Sequence, residues 1–158
     1  MINRCKSEWP QKHHDAGATV VRIIRASDNL LSNGRKRFEK YDLTAAEFDT
    51  LATLRKCGEP YQLMPSHICE ANLLSSGGLT KVLISLEERK LIKRVTHPED
   101  KRSRLVKLTA AGKKLIEQVM EEVLQAHENL LSILWTKQER EQFNQLMKKF
   151  HDGIENLP

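Results

Sequence analysis

The sequence predicts a mainly α-helical protein that carries one small antiparallel β-sheet. Aromatic residues make up 5% of the 158 residues, so we expect a helical core that is rich in leucine. Apolar residues recur at helical spacing along most of the chain, whereas residues 92–108 show two short alternating runs around a turn. A chain of this length can bury a core by itself, and we expect residues 1–158 to form a single domain.

Two helices are predicted before the sheet. Apolar spacing places the first at residues 15–40. Thr44 and Glu47 have the Thr-x-x-Glu spacing of a capping box, in which each side chain bonds to the backbone N–H of the other residue. They therefore begin a second helix, which stops near Gly58. Residues 61–63 are short and extended, and could add a third strand to the sheet.

A third helix is predicted at Pro65, because proline suits the first turn of a helix. Its inward face should consist of Ile68, Ala71 and Leu73. Met64 precedes the proline and has no side-chain oxygen that could cap the helix, so we expect a weak N-terminus.

The fourth helix has two distinct faces. It is preceded by a turn of small residues, in which a hydroxyl can cap the helix and glycine lets the backbone approach a partner closely. That turn consists of Ser75, Ser76, Gly77 and Gly78. One side is apolar at helical spacing, through Leu79, Val82, Leu83 and Leu86. The other side carries Ser76, Thr80, Lys81 and Ile84.

The runs that follow indicate a basic β-hairpin, with its turn at residues 97–103. From Arg89 to Lys107 there are eight basic and two acidic residues, a balance of +6, whereas the whole chain carries +5. Concentrated positive charge favours DNA, because each neutralised phosphate releases counterions, although a solvated hairpin would fit the charge alone. A helix with a small polar leading end, followed by such a hairpin, is typical of a winged helix-turn-helix. Its helix enters the major groove of duplex DNA, and its hairpin, or wing, reaches the minor groove.

Two further helices are predicted after the hairpin. Thr109 should cap the fifth helix, which ends around Trp135, and Thr136 with Glu139 forms a second capping box at the start of the sixth. The apolar stripe of the fifth helix consists of Leu115, Ile116, Val119, Met120, Val123, Leu124, Leu130 and Leu131. That of the sixth consists of Phe143, Leu146, Met147, Phe150 and Ile154.

These stripes predict a homodimer. Together with the stripe of the first helix, they cover more surface than one small winged domain can bury, although an ordinary monomeric bundle is the alternative. From Ala110 to Pro158 there are six basic and eight acidic residues, a balance of −2, which does not suit DNA. We therefore expect residues 42–109 to bind DNA, and residues 13–41 and 110–158 to form the dimer.

The hairpin resembles the wing of the multiple antibiotic resistance regulator (MarR) family. Asp100, Lys101 and Arg102, with residues 106–112, match the family pattern D-x-R followed by V-x-L-T-x-x-G. The resemblance extends to residues 43–55 and 58–63, where it is greatest to the PecS-type, urate-responsive subgroup. It covers about two thirds of the chain, and it implies a DNA-binding transcriptional regulator, by default a repressor, that recognises an inverted repeat as a homodimer.

The resemblance also implies that Arg102 enters the minor groove and that Asp100 orients it. On the fourth helix, Ser76, Thr80 and Lys81 are expected to contact bases, and Ile84 a thymine methyl group. The helix-turn-helix residues that could offer hydroxyl or backbone N–H groups to phosphates are Ser66, Ser75, Gly77 and Gly78. The basic residues of the wing tip are Lys101, Arg102 and Arg104.

MarR-type dimers place a small-anion pocket where the dimerisation helices meet the winged part. In the urate-responsive subgroup the pocket uses a tryptophan, an aspartate and two arginines. Asp49 and Arg94 fall on two of these positions, and Trp9 is the candidate for the tryptophan. Val82 occupies the place of the other arginine and removes a bidentate donor. We therefore expect an aromatic acid other than urate as the effector. Asp49 and Arg94 could instead form only a structural ion pair.

Other functions have less support in the sequence. A thiol-oxidation sensor of the same fold would use Cys5, Cys57 or Cys69, whose odd number and unrelated spacings argue against a disulfide scaffold. Neither His13-His14 nor His67-x-Cys69 has the spacing of a structural zinc site, so no metal or cofactor is expected. The sequence has no phosphate-binding glycine loop, nucleophile elbow or H-E-x-x-H motif of an enzyme, but a non-catalytic adaptor that binds protein stays open.

Localisation can also be predicted. No apolar run approaches the ~20 residues that span a bilayer, and the first residues lack the apolar centre of a secretion signal. We therefore expect a cytoplasmic protein without a membrane partner.

Overall fold

The computed structural model describes residues 15–156, which form six α-helices and three β-strands. In chain order these are α1 (Asp15–Glu39), α2 (Ala45–Lys56), β1 (Gln62–Leu63), α3 (Pro65–Asn72), α4 (Ser76–Glu88), β2 (Ile92–Thr96), β3 (Arg104–Leu108), α5 (Ala110–Leu134) and α6 (Lys137–Glu155). The mainly α-helical class with a small antiparallel sheet is confirmed. The chain divides within α5 into two compact units, one ending at Ile116 and the other beginning at Glu117.

The sheet of the first unit has the strand order β1-β3-β2, and both pairings are antiparallel. Ile92 pairs with Leu108 at the base of the hairpin, and Thr96 pairs with Arg104 near its tip. Gln62 pairs with Lys107, so the predicted third strand is present. The hairpin β2–β3 is the wing of a winged helix-turn-helix in which α3 and α4 are the two consecutive helices.

The core of the first unit lies between α2, α3, α4 and the sheet. It consists of leucine, isoleucine and valine side chains that are at most 7% exposed, namely Leu51, Leu54, Ile68, Leu79, Leu83, Leu86, Ile92, Leu105, Val106 and Leu108. Each such side chain stabilises the fold by about 1.5–3 kcal/mol relative to an exposed one. A second contact of this unit joins α1 to α2, where the rings of Phe38 and Phe48 stack with their centroids 4.2 Å apart.

The predicted N-terminal capping of α2, α3 and α6 is confirmed. Thr44 with Glu47, and Thr136 with Glu139, each form a complete capping box. The N-terminus of α3 is weak as expected, since Met64 makes no side-chain capping bond.

The predicted inward face of α3 is correct at Ile68 and wrong at Ala71 and Leu73, which are both exposed. Asn72 takes the inward position instead, because it lies four residues after Ile68 and bonds to α2. Its side chain accepts a hydrogen bond from Thr53 over 2.7 Å. The helix then ends, and Leu73 adopts a left-handed conformation (φ 51°) in which its side chain is 94% exposed.

Thr109 and Gly112 join the wing to α5. The Thr109 hydroxyl lies 2.8 Å from the Lys90 carbonyl oxygen, to which it donates, and it accepts a hydrogen bond from the Gly112 N–H over 3.0 Å. A Cβ atom on Gly112 would overlap the carbonyl group of Leu91. The spacing T-x-x-G therefore has a physical cause. The threonine caps α5, and the glycine lets the first turn of α5 lie against the backbone of Leu91.

The second unit consists of α6 and the part of α5 from Glu117 onward. Arg140 forms an ion pair with Glu128 over 2.7 Å, and the rings of Trp135 and Phe143 lie 4.5 Å apart. Within residues 15–156, the helices are all too short or too polar to cross a bilayer.

The substitution Gly112→Ala should lower the free energy of unfolding by about 1–3 kcal/mol or more, because backbone atoms must move to accept the methyl group. Gly153→Ala is the matched control. Nothing lies within 4 Å of a Cβ atom at Gly153, and α6 should gain about 0.5–1 kcal/mol from the better helix former. Urea denaturation of both variants measures the difference, and equal stabilisation by the two alanines would contradict the packing described for Gly112.

Candidate functional site

Helix α4 has the two faces that the sequence predicts. Leu79, Leu83 and Leu86 are buried, and Val82 is half-buried at the edge of that face. The residues predicted to face a partner are all exposed, namely Ser76, Thr80, Lys81 and Ile84. The Lys81 side chain makes no hydrogen bond or ion pair with the part of the chain that the structure describes. The helix thus presents a mixed polar face with one unneutralised cation.

The turn before α4 is ordered by its own hydroxyls. The Ser75 hydroxyl oxygen caps the helix by accepting a hydrogen bond from the Gly78 N–H over 3.2 Å, and its proton is left to donate elsewhere. Thr80 donates to the carbonyl oxygen of Ser76 over 2.8 Å, so its hydroxyl must rotate before it can donate to a base. Ser66, in the first turn of α3, and Gly77, in the first turn of α4, are also exposed.

A buried carboxylate holds α4 against α2. One oxygen of Glu47 accepts a hydrogen bond from the Ser85 hydroxyl over 2.6 Å, and the other accepts the Thr44 N–H over 2.7 Å. Burial alone would raise the pKa of Glu47, but the hydrogen bonds from Ser85 and Thr44 and the charge of Arg89 outweigh it. The pKa of Glu47 therefore lies below its ordinary value of 4.5, and the carboxylate is stabilised in its charged form.

Arg89 fixes the C-terminal end of the same helix. Its guanidinium donates to the backbone carbonyl oxygens of Tyr41 and Asp42 in the turn between α1 and α2. Sequence reasoning counted Arg89 among the basic residues of the DNA-binding stretch and missed this role. The sequence offers no signal for the contact, since the partners are 47 and 48 residues away.

The wing tip is a turn closed by Asp100. Its carboxylate accepts hydrogen bonds from the Ser103 hydroxyl and from the Arg102 N–H, and these two bonds lower the pKa of Asp100. His97 Nδ1 accepts the N–H groups of Glu99 and Asp100, each over 3.2 Å, a contact that sequence reasoning missed. Asp100 therefore shapes the backbone beneath Arg102 and does not contact its guanidinium.

The cations of the wing differ in their freedom to bind a partner. Arg104 donates to the Thr96 hydroxyl over 3.0 Å, and Arg94 forms an ion pair with Glu87 over 3.2 Å. Lys101 and Arg102 are exposed, and the side chain of neither makes a hydrogen bond or ion pair within residues 15–156. The wing tip therefore carries two cations whose side chains are not engaged within the described chain.

The residues predicted to bind an effector do not contact one another in the described chain through hydrogen bonds or ion pairs. Asp49 and Arg94 do not form a structural ion pair with each other, because Arg94 is paired with Glu87 on α4. Desolvation by the surrounding protein raises the pKa of Asp49, with the charge of Lys56 acting against it, although the carboxylate is exposed. Trp9 lies outside the described residues.

The cysteines form no sensor-like cluster in the described chain. Cys57 is exposed and its thiol donates to the carbonyl oxygens of Leu54 and Gly58, over 3.0 and 3.5 Å, whereas Cys69 is half-buried. Within residues 15–156 no three potential metal ligands lie together. Cys5, His13 and His14 lie outside the described residues.

Comparison with known proteins assigns the family. Residues 41–103 match the model of the MarR family. The chain is 39% identical to the HTH-type transcriptional regulator PecS of Dickeya dadantii over 114 residues, which are 72% of this chain and 67% of PecS. The chain belongs to the MarR family. It is accordingly a transcriptional regulator of the winged helix-turn-helix type.

Solved structures agree with this MarR-family fold. A mutant of MarR from E. coli superimposes with a TM-score of 0.72 at 28% identity, covering 82% of this chain and 93% of that one. A mutant of S. aureus MepR, solved with a bound oligodeoxyribonucleotide, has a TM-score of 0.59 at 24% identity over 87% of this chain and 96% of that one. The second likeness shows the fold alone.

The substitution Glu47→Gln should lower the free energy of unfolding by about 1–3 kcal/mol at neutral pH. A carboxylate whose pKa is lowered in the folded state stabilises the protein above its unfolded pKa, and this stabilisation is lost as the pH falls through the lowered value. Urea denaturation at a series of pH values should therefore show a steeper loss towards acid in the wild type than in Glu47→Gln.

Glu139→Gln is the control for that measurement, because Glu139 forms the same capping box but is exposed and has no partner like Ser85. We expect a smaller change in stability for this variant. If both glutamines had the same effect, the bond between Glu47 and Ser85 would not contribute to stability.

Proposed function

We propose that this MarR-family regulator binds duplex DNA as a homodimer, at an inverted-repeat operator, and represses transcription until a small aromatic effector releases it. The observation that carries the proposal is the exposed polar face of α4, next to a wing whose tip ends in Lys101 and Arg102. An α-helix fits the major groove of B-DNA, and an arginine on a hairpin can reach the adjacent minor groove.

The proposed contacts divide into those that read bases and those that position the protein. Ser76, Thr80, Lys81 and Ile84 would contact base edges in the major groove. The groups that would contact phosphates or the minor groove belong to Ser66, Ser75, Gly77, Gly78, Asp100, Lys101, Arg102 and Arg104. Asp100 would act through the shape of the tip, because its carboxylate bonds to backbone and to Ser103.

Exposed apolar faces support the homodimer. No residue of α1 or α6 is buried, although both helices carry apolar stripes. Their large apolar side chains are 40–67% exposed, at Val20, Val21, Ile24, Leu30, Leu31, Phe143, Leu146, Phe150 and Ile154. An isolated chain would leave this surface in water, so we propose that residues 13–41 and 110–158 bury it against a second copy.

The dimer gives the DNA proposal its geometry. Two copies of α4 related by a two-fold axis would enter successive major grooves ~34 Å apart, which requires an operator with two inverted half-sites. PecS is a transcriptional regulator, and the MepR mutant was solved with DNA, so the family and the fold both support this reading.

The proposed effector site includes Trp9, Asp49, Val82 and Arg94. A ligand bound there could alter the spacing of the two α4 helices in the dimer. A ligand that binds better to the form unable to match the operator would release the DNA.

Arg102→Ala should lower operator affinity on the order of tenfold and reduce the slope of log affinity against log salt by about one unit. The reason is that one fewer phosphate counterion is released on binding. Fluorescence anisotropy at several salt concentrations measures both. Arg22→Ala removes an equal charge from an exposed position on α1 and should leave the slope unchanged. An unchanged slope in Arg102→Ala would remove the wing from the DNA interface.

Leu146→Glu should raise the dissociation constant of the dimer by at least about tenfold, since it places a charge on each copy of the apolar face. Sedimentation velocity at micromolar concentration measures the change. Leu73→Glu is the matched control, because Leu73 is 94% exposed and lies outside the proposed dimer helices. Equal weakening by both variants, or a wild-type monomer, would contradict the proposed interface.

A further inference from the structure

We propose that His97 positions the wing tip for DNA through its unprotonated imidazole, so that DNA binding weakens when His97 takes up a proton. The inference rests on the DNA binding proposed above. It adds a positioning residue to that interface and a dependence on pH that resides in one side chain.

Two side chains hold the wing tip, one after the other. His97 Nδ1 accepts the N–H groups of Glu99 and Asp100, each over 3.2 Å. The Asp100 carboxylate in turn accepts the Arg102 N–H over 3.0 Å and the Ser103 hydroxyl. The backbone closes the turn, since the His97 N–H donates to the Ser103 carbonyl oxygen over 3.0 Å. The imidazole therefore fixes the residue whose carboxylate fixes the backbone of Arg102.

The two backbone donors determine where the imidazole carries its proton. A neutral imidazole has one N–H and one acceptor nitrogen. Nδ1 of His97 is the acceptor, so the proton of the neutral ring is on Nε2. A second proton can go only to Nδ1, where it turns the acceptor into a third donor facing two N–H groups. Neither hydrogen bond can persist in that state.

The charges around His97 come from the tip and from the two strands beside it. Arg94 is paired with Glu87 and Arg104 donates to Thr96, so these two strand cations are engaged. The pKa of Asp100 is lowered mainly by the Ser103 hydroxyl and the Arg102 N–H, and further by the charge of His97. A protonated His97 is thus attracted to the carboxylate that shapes the tip. The charged residues of the tip and strands are Lys93, Arg94, Glu99, Asp100, Lys101, Arg102, Arg104 and Lys107.

Arg102 is the DNA contact that the loss of these bonds would affect. Its side chain makes no hydrogen bond or ion pair within residues 15–156, so its position depends on the backbone of the tip. When His97 releases Glu99 and Asp100, DNA binding has to order that backbone again, which costs conformational entropy. The charge of the imidazolium acts in the opposite direction because it attracts phosphates, and variants must separate the two effects.

His97→Asn is the decisive variant, because the asparagine Oδ1 can accept the same two N–H groups and does not titrate. The probe is a duplex selected from a random library for tight binding to the full-length wild type at pH 8.0, and fluorescence anisotropy measures its affinity. From pH 8.0 to 6.0 the wild type should lose about three- to tenfold in affinity relative to His97→Asn. His97→Ala offers no acceptor and should bind weakly at both pH values.

Two further variants assign the pH dependence. Glu99→Gln removes an exposed carboxylate but keeps the N–H that donates to His97, so it should retain the pH dependence of the wild type. Arg102→Ala should lose most of it, because the side chain that His97 positions is then absent. Asp100 stays ionised throughout this range, since its pKa lies below its ordinary value of 3.8.

NMR of the free protein tests the contact without DNA. From pH 8.0 to 5.5 the amide signals of Glu99 and Asp100 should shift together with the ring signals of His97. In His97→Asn the same two amide signals should stay in place. Wild-type amide signals that do not follow the ring would overturn the inference at its structural step.

The outcomes distinguish this inference from the proposed function. Equal pH dependence of the wild type and His97→Asn, or a greater loss of affinity in His97→Asn, would overturn the role of His97 and leave DNA binding in place. If the library yielded no bound duplex, the proposed DNA binding would fall, and the inference would fall with it.

Discussion

The buried carboxylate of Glu47 is the interaction on which the geometry of the DNA-binding unit depends. It caps α2 through Thr44 and bonds to α4 through Ser85. One side chain therefore sets both the start of α2 and the position of α4. This buried charge is tolerated because hydrogen-bond donors contact both carboxylate oxygens, and the positive charge of Arg89, at the C-terminal end of α4, stabilises it further. The exposed face of α4 can therefore vary chemically without loss of its orientation.

The basic residues of this protein have two roles, which a count of charges does not separate: some bond within the fold and others are available to a partner. Arg89 and Arg94 are occupied within the fold, the first by backbone carbonyl oxygens and the second by Glu87. Lys101 and Arg102 are left for a partner, on a tip that Asp100 and His97 hold in shape. A basic stretch of sequence thus becomes a small number of positioned cations. Their position, more than the total charge, determines what they can reach.

The chain departs from the urate-responsive pattern at Val82, and Arg94 is also engaged within the fold. Where the urate-responsive pattern has an arginine, this chain has the aliphatic Val82, and the other arginine of the pattern, Arg94, is paired with Glu87. The remaining carboxylate, Asp49, lies on α2, where desolvation raises its pKa and the charge of Lys56 opposes that rise.

The sequence by itself determined the order of the helices, both capping boxes, the antiparallel wing and the two faces of α4, because these follow from local spacing and local hydrogen bonds. Only the tertiary structure decided which distant groups meet. It turned Asn72 inward in place of Ala71 and Leu73, gave Glu47 its bond to Ser85, and directed Arg94 to Glu87. Those choices depend on how the helices pack in three dimensions, and spacing along the chain does not contain that information.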